Sequence, residues 1–212
     1  MYLPWAFDLA TWPAVLDAVA DVIGPDILVY SSIIFAKWPG DPSLVSWHQD
    51  RTDANPNQTM TTSAWIAMTD STPGNGCMRV VPMSHTRPPL PHRLSYARDN
   101  LLGQGQVVQA VVHEAEALDL VLAAGEMSLH HSDLIHGSGP NHGRWPRIGF
   151  VVRYTTPAHY RGPTAVVVAR GCDGIGPVAS VRRPSADRTE ELASAHEAEL
   201  RRLEAERQSA LV

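Results

Sequence analysis

The chain has 212 residues, 44% hydrophobic and 18% charged, enough to bury one core and unlike a disordered or fibrous protein. A formal net charge of -5 without a clustered basic run argues against nucleic acid as a partner. No apolar run approaches the ~20 residues of a membrane span. No basic-then-apolar leader opens the chain, and Cys77 and Cys172 cannot build a disulfide framework, so the expectation is a cytoplasmic protein.

The first predicted element is a helix over about 11–23. Thr11 is its expected cap, Pro13 suits the first turn, and Val15, Leu16, Val19 and Val22 fall at helical spacing until Gly24-Pro25 stops it. Short β-branched runs follow at 27–37, 62–69, 77–81, 106–113, 118–122, 127–131, 148–155 and 165–169, most of them punctuated by Gly, Pro, Asn or Asp. Strands without regular intervening helices predict a mainly β, double-sheet antiparallel architecture such as a jelly roll. Two segments read as loops: the polar stretch 51–61, and 86–105, which is too long for a hairpin and suits a lid or wall. A domain over 1–180 is expected, then a charged helical tail over 181–212 whose seam is only Leu192, Leu200 and Leu203.

Trp47-His48-Gln49-Asp50 ends one strand-like run. Alternate residues of an extended chain share a face, so His48 and Asp50 point the same way and can bind one divalent ion. A second triplet of that kind, His131-Ser132-Asp133, is its rival. Further along, His136 stands just before the Gly137–Asn141 turn, and a hairpin there is expected to return Arg147 beside it. Two His and one carboxylate on one side of a metal leave three positions open, as in non-haem Fe(II) oxygenases. A 2-oxo acid bound to such a metal needs a cation for its far carboxylate, a task that suits the planar fork of Arg147.

The ordered motifs WHQD, NGCMRVVP, GEMSLHH, HGSGPN, RIGF and RY resemble the phytanoyl-CoA dioxygenase family of Fe(II)/2-oxoglutarate oxygenases, in particular bacterial members, from about Trp5 to about Gly171. The resemblance implies a double-stranded β-helix fold. It implies iron held by His48, Asp50 and His136, and the distal carboxylate of 2-oxoglutarate gripped by Arg147 with Ser138. By position it adds Trp65 near 2-oxoglutarate and Lys37 as a basic residue before the metal motif, and it sets His131 and Asp133 aside as ligands. The implied reaction consumes O2, yields succinate and CO2, and hydroxylates an unactivated C–H of a small molecule. Retention of Asp50 argues for hydroxylation, because related halogenases place a small residue there.

The pattern departs from the family at three places. The N-terminal helical region is short, the 51–58 loop lacks aromatics, and the usual PGSH turn reads Pro82-Met83-Ser84-His85, so a positive φ at Met83 would be strained. Arg153 shares the strand face of Arg147. His130 and His131 point to opposite faces, so at most one lines the pocket. Asn141 is read as a turn residue and Cys77 as a small buried hydrophobe. Competing readings are a zinc hydrolase or lyase on the same His/Asp/His set and a non-catalytic jelly roll. No nucleic-acid or membrane partner is expected, and the oligomeric state is open.

Overall fold

A computed structural model describes residues 3–51, 61–160, 165–171 and 180–185, with 190, 194, 197 and 201 beyond them. The helix expected over about 11–23 is α2 (Pro13–Ile23), and a further helix that was not expected, α1 (Pro4–Ala10), precedes it. The break between them follows from Pro13, which disfavours helical geometry at the residue before it. Trp12 is extended (ψ 131°) and occupies the cap position of α2. Thr11 is therefore not its cap; its hydroxyl donates back to Phe7 O of α1 at 2.8 Å.

The strands form two facing sheets and a small hairpin. β1 (Ile27–Lys37), β3 (Thr62–Ala67), β8 (Met127–His131), β10 (Arg147–Thr155) and β11 (Val167–Arg170) make a five-stranded sheet in the order β11-β1-β10-β3-β8. Opposite it, β2 (Val45–His48), β4 (Met78–Val80), β7 (Leu118–Leu120) and β9 (His136–Ser138) take the order β2-β9-β4-β7. Neighbouring strands run antiparallel throughout, as expected for the jelly roll. The long 86–105 segment is not a plain loop. It carries β5 (His92–Leu94), which pairs with β6 (Gln106–Val108). The expected strand over 106–113 stops at Val108, and Glu114–Glu116 forms a single 3-10 turn.

The five-stranded sheet has two apolar faces because it is covered on both sides. Its outer face packs Ile66, Phe150, Val152 and Tyr154 against Ala10, Leu16 and Val19 of the helices. Tyr154 Oη closes the seam by donating to Ala10 O at 2.8 Å. Each fully buried aliphatic side chain there contributes about 1.5–3 kcal/mol of transfer free energy. A bulge at Tyr30, between the pairs Val29↔Tyr154 and Ser31↔Arg153, switches the facing of β1. Val29 therefore packs under the helices, whereas Phe35 belongs to the second core, between the sheets, with Trp65, Met78, Val80 and Val151.

Contacts with the domain continue past residue 180: Val181 N donates to Val166 O at 2.7 Å, and Arg183 pairs with Asp8 of α1 at 2.6 Å. Residues 190, 194, 197 and 201 are helical, whereas the expected seam of Leu192, Leu200 and Leu203 lies outside the described residues. Among the described residues no helix is long and apolar enough to cross a membrane.

Candidate active site

The ends of two short strands bring the histidines together. His48 closes β2 and His136 opens β9, and the two are direct partners in the ladder, so their side chains share a face. The ring centroids lie 4.1 Å apart. Asp50 follows two residues after His48, with Oδ1 at 3.9 Å from His48 Nε2. One ligating atom from each of His48, Asp50 and His136 can be chosen so that all lie within 4.8 Å of one another.

The chemistry of these side chains suits a divalent metal. His48 Nδ1 is 2.8 Å from Ser46 O and His136 Nδ1 is 2.9 Å from Leu134 O, so each ring spends its Nδ1 proton on a carbonyl and presents Nε2. Burial pushes His48 down to about 4. Burial, reinforced by His48 and His130, also holds His136 well below the usual histidine range. Both imidazoles are thus neutral at pH 7, the form that coordinates. Burial opposes ionisation of Asp50, but Arg153, His130 and His136 outweigh it and hold the carboxyl well below the usual carboxylate range.

A second polar cluster borders the same cleft, which its Ser138 and Arg147 line. Lys37 (0% exposed) and Arg147 (2%) are the last and first residues of their strands and pair in the ladder. Both donate to the Ser138 hydroxyl, Lys37 Nζ at 2.6 Å and Arg147 Nη2 at 3.0 Å. Lys37 also reaches Ser138 O and Gly139 O, and Arg147 Nε reaches Gly76 O at 3.0 Å. Among the described residues no carboxylate makes an ion pair with either cation. Two like charges that share one hydroxyl acceptor repel, and a low-dielectric surrounding strengthens that repulsion. Burial first and Arg147 second push Lys37 down to about 7, and burial pushes Arg147 down to about 10. Ser138 Oγ accepts two hydrogen bonds, so its own proton is left for a further acceptor.

The expected hairpin between His136 and Arg147 does not form. β9 is held by β2 and β4 and β10 by β1 and β3, so the connection crosses from one sheet to the other and Arg147 meets Ser138 across the sandwich. Asn141 secures that crossing. It is fully buried and donates to Lys37 O and Trp145 O, both at 2.9 Å. Trp65 forms the wall between the clusters, with the Arg147 guanidinium 5.5 Å from its ring centre. The ring lies on Gly149, where a Cβ would overlap it. The left-handed Gly76 (φ 75°) makes a similarly close approach to Gly139 O.

Residues 4–149 match the phytanoyl-CoA dioxygenase (PhyH) family. The chain belongs to that family. A probable phytanoyl-CoA dioxygenase of Caenorhabditis elegans is 28% identical over 145 residues, covering 65% of this chain and 46% of the worm protein. The 1-deoxypentalenic acid 11-beta-hydroxylase of Streptomyces arenae is 28% identical over 145 residues, 63% of this chain and 50% of that protein. The chain thus spans about half the length of these curated relatives. Among solved structures, the apo form of the non-heme monooxygenase ThoJ superposes with TM-score 0.75 and 32% identity over 98% of this chain and 76% of that one; a ThoJ-Ni complex gives 0.68.

The other residues singled out in the sequence fall into place within this family fold. His130 lines the cleft and His131 does not. Asp133 is taken by Arg51 through two 2.6 Å contacts, and its backbone N–H donates to His131 Nδ1 at 3.1 Å, so the second triplet closes a turn. Met83 has φ 60°, the strained left-handed geometry. Cys77 is buried, which pushes its thiol up to about 11. Sequence reasoning missed Ser63, whose hydroxyl donates to Asp50 Oδ2 at 2.7 Å, and left Arg153 undecided; its Nη2 donates to Asp50 Oδ1 at 2.6 Å.

Proposed function

We propose that this chain is an Fe(II)- and 2-oxoglutarate-dependent dioxygenase that hydroxylates an unactivated C–H of a small molecule. His48, Asp50 and His136 are the metal ligands in this reading. Lys37, Arg147 and Ser138 hold the distal carboxylate of 2-oxoglutarate, and Trp65 walls the channel between the two ends. The observation that carries it is the Lys37–Ser138–Arg147 cluster: two buried cations and a free hydroxyl proton, with no carboxylate paired to either cation among the described residues, where Ser138 and Arg147 line the same cleft as the neutral-His₂/carboxylate set and Lys37 lies behind Ser138. A zinc hydrolase would leave that cluster without a task.

When bound, the metal would supply activation of O2 for attack on C–H. The residues of this chain do the rest. Ser46 and Leu134 carbonyls fix the ring tautomers, and the Arg147 fork orients a carboxylate that Lys37 neutralises. Phe35, Val45, Met78 and Val151 keep the intervening cleft apolar. A small organic substrate is in keeping with the Streptomyces arenae hydroxylase of the same family.

An anaerobic absorbance titration tests the reading. Fe(II) followed by 2-oxoglutarate is expected to give a visible charge-transfer band, lost in His136→Ala and requiring far higher 2-oxoglutarate in Arg147→Ala. A well-folded wild-type chain without that band would overturn it.

A further inference from the structure

Past Asp50 the inner face of the five-stranded sheet turns polar. Arg153 of β10 pairs with Ser63 of β3, and Ser63 pairs with His130 of β8, so the three side chains form one row beside Asp50. One alternation step beyond that row stand Thr155, Thr61 and Ser132, on the same face. Ser132 N–H donates to Thr61 O at 3.1 Å and continues the ladder. The bulge at Tyr30 brings a phenol to this end as well; burial raises it above the usual tyrosine range, and the nearby Thr61 and Arg153 oppose the rise. The polar atoms gathered here are buried but not paired. Thr61, His130, Ser132 and Thr155 are each at most 6% exposed. Their three hydroxyls, both ring nitrogens of His130, the Tyr30 hydroxyl and Arg153 Nε have no hydrogen-bond partner among the described residues. His130 Nε2 stands 3.5 Å from Asp50 Oδ2, too far for a well-formed bond. Each buried polar atom left unpaired costs folding free energy, so seven together call for a partner.

We infer that this end of the cleft is the substrate subsite and that it takes an uncharged, hydroxyl-rich group, the chemistry of a sugar or polyol. The inference rests on the proposed reading of the cleft as a metal and 2-oxo acid site. β10 runs from Arg147 through Val151 to Arg153 and Thr155, so the polar end lies away from Arg147, and His130 and Arg153 open it to the cleft. A 2-oxo acid that reaches from the metal to Arg147 leaves this side to the molecule being oxidised. Charge argues against a carboxylate or phosphate there. Of the two cations that line the cleft among the described residues, Arg147 is at the other end and Arg153 is already balanced by Asp50 at 2.6 Å. Hydrocarbon fits no better, because it would leave all of these atoms unpaired. A hydroxyl both donates and accepts, as do the hydroxyls of Tyr30, Thr61, Ser132 and Thr155, while Arg153 Nε adds a donor.

The test reads binding beside the metal without turnover. The protein is loaded with Mn(II) and 2-oxoglutarate, and Mn(II)-enhanced proton relaxation is followed for two probes, methyl α-D-glucopyranoside and heptanoate. The glucoside is expected to show the enhancement and heptanoate to show little. Thr61→Val and Thr155→Val replace a hydroxyl by a methyl of the same shape. Each is expected to weaken glucoside binding about three- to tenfold, the worth of one neutral hydrogen bond. Each should bind Mn(II) and 2-oxoglutarate as wild type does and unfold at an equal or higher urea concentration, because an unpaired buried hydroxyl adds nothing to the fold. Unchanged glucoside binding in both variants overturns the inference. A lowered urea midpoint in both marks the hydroxyls as structural and overturns it too. So does a wild-type protein that prefers heptanoate or gives the glucoside no enhancement. Failure of the wild-type chain to bind Mn(II) or 2-oxoglutarate is seen before any probe is added; the functional reading then falls, and the inference with it.

Discussion

Lys37 is the residue at which burial, charge and proposed function meet most directly. Its ammonium has no carboxylate partner among the described residues and is pushed down to about 7 by burial and by Arg147. In the free protein it is therefore mostly charged below pH 7 and increasingly neutral above. A carboxylate ligand prefers the charged form, so binding raises the Lys37 pKa and takes up a proton. The sign is then fixed: affinity for 2-oxoglutarate falls as pH rises above about 7, by at most about tenfold per pH unit. Calorimetry at pH 8 in two buffers of different ionisation enthalpy is expected to show proton uptake on binding. Lys37→Met should bind more weakly and lose that proton uptake; a variant that keeps the wild-type pH profile would show that another group titrates. The clustering of His48, Asp50 and His136 was legible because each sits in a short ordered motif, two residues apart at the end of β2 or beside one turn. The Arg153–Ser63–His130 row was not. Its members are distant along the chain and meet only through the pairing of β10, β3 and β8. The signal that was available, strand parity, placed Arg153 on the Arg147 face but said nothing of its partner.

At the scale of elements, the helices and the site lie on opposite faces of the same sheet. Val19 of α2 is fully buried against the outer face, while Arg147, Val151 and Arg153 of β10 line the cleft on the inner one. Val19→Ala is expected to cost about 2 kcal/mol through lost contact and cavity, read as a lower urea midpoint. Metal and 2-oxoglutarate affinities of the folded protein should stay unchanged. A loss of affinity in parallel with stability would mean that the helices shape the cleft through the sheet. Periodicity exposed the long strands well, since 27–37 and 127–131 match β1 and β8. It fell short at the N-terminus, where α1 was not expected and Pro13 sets the start of α2 two residues late, and at Tyr30, where a bulge reverses the facing of β1. The three-residue β5 and β9 have too few positions to show an alternation at all.

On the scale of the whole molecule, the cleft is where two sheets are joined by side chains that no ladder hydrogen bond connects. His48, His136 and Ser138 come from the four-stranded sheet, and Lys37, Trp65, Arg147 and Arg153 from the five-stranded one. Without ligands this junction carries neutral buried imidazoles and an unneutralised cation pair. Anything that binds there stabilises the fold by roughly 2.7 kcal/mol at one hundred times its Kd. In the proposed reading a divalent metal alone would engage the His/Asp end, and 2-oxoglutarate alone would engage the Lys37–Arg147 end. A 2-oxo acid chelated to the metal would engage both at once, and each ligand would then improve the other's affinity by the same factor. Thermal unfolding with Mn(II) in place of the oxidisable Fe(II) is therefore expected to show a joint shift in Tm larger than the sum of the separate shifts. His136→Ala should reduce the joint shift to the small effect of 2-oxoglutarate alone, because the link between the ends is the chelate. Additive shifts in the wild-type chain would mean that metal and 2-oxoglutarate occupy the cleft independently, and the two ends would then not form one site.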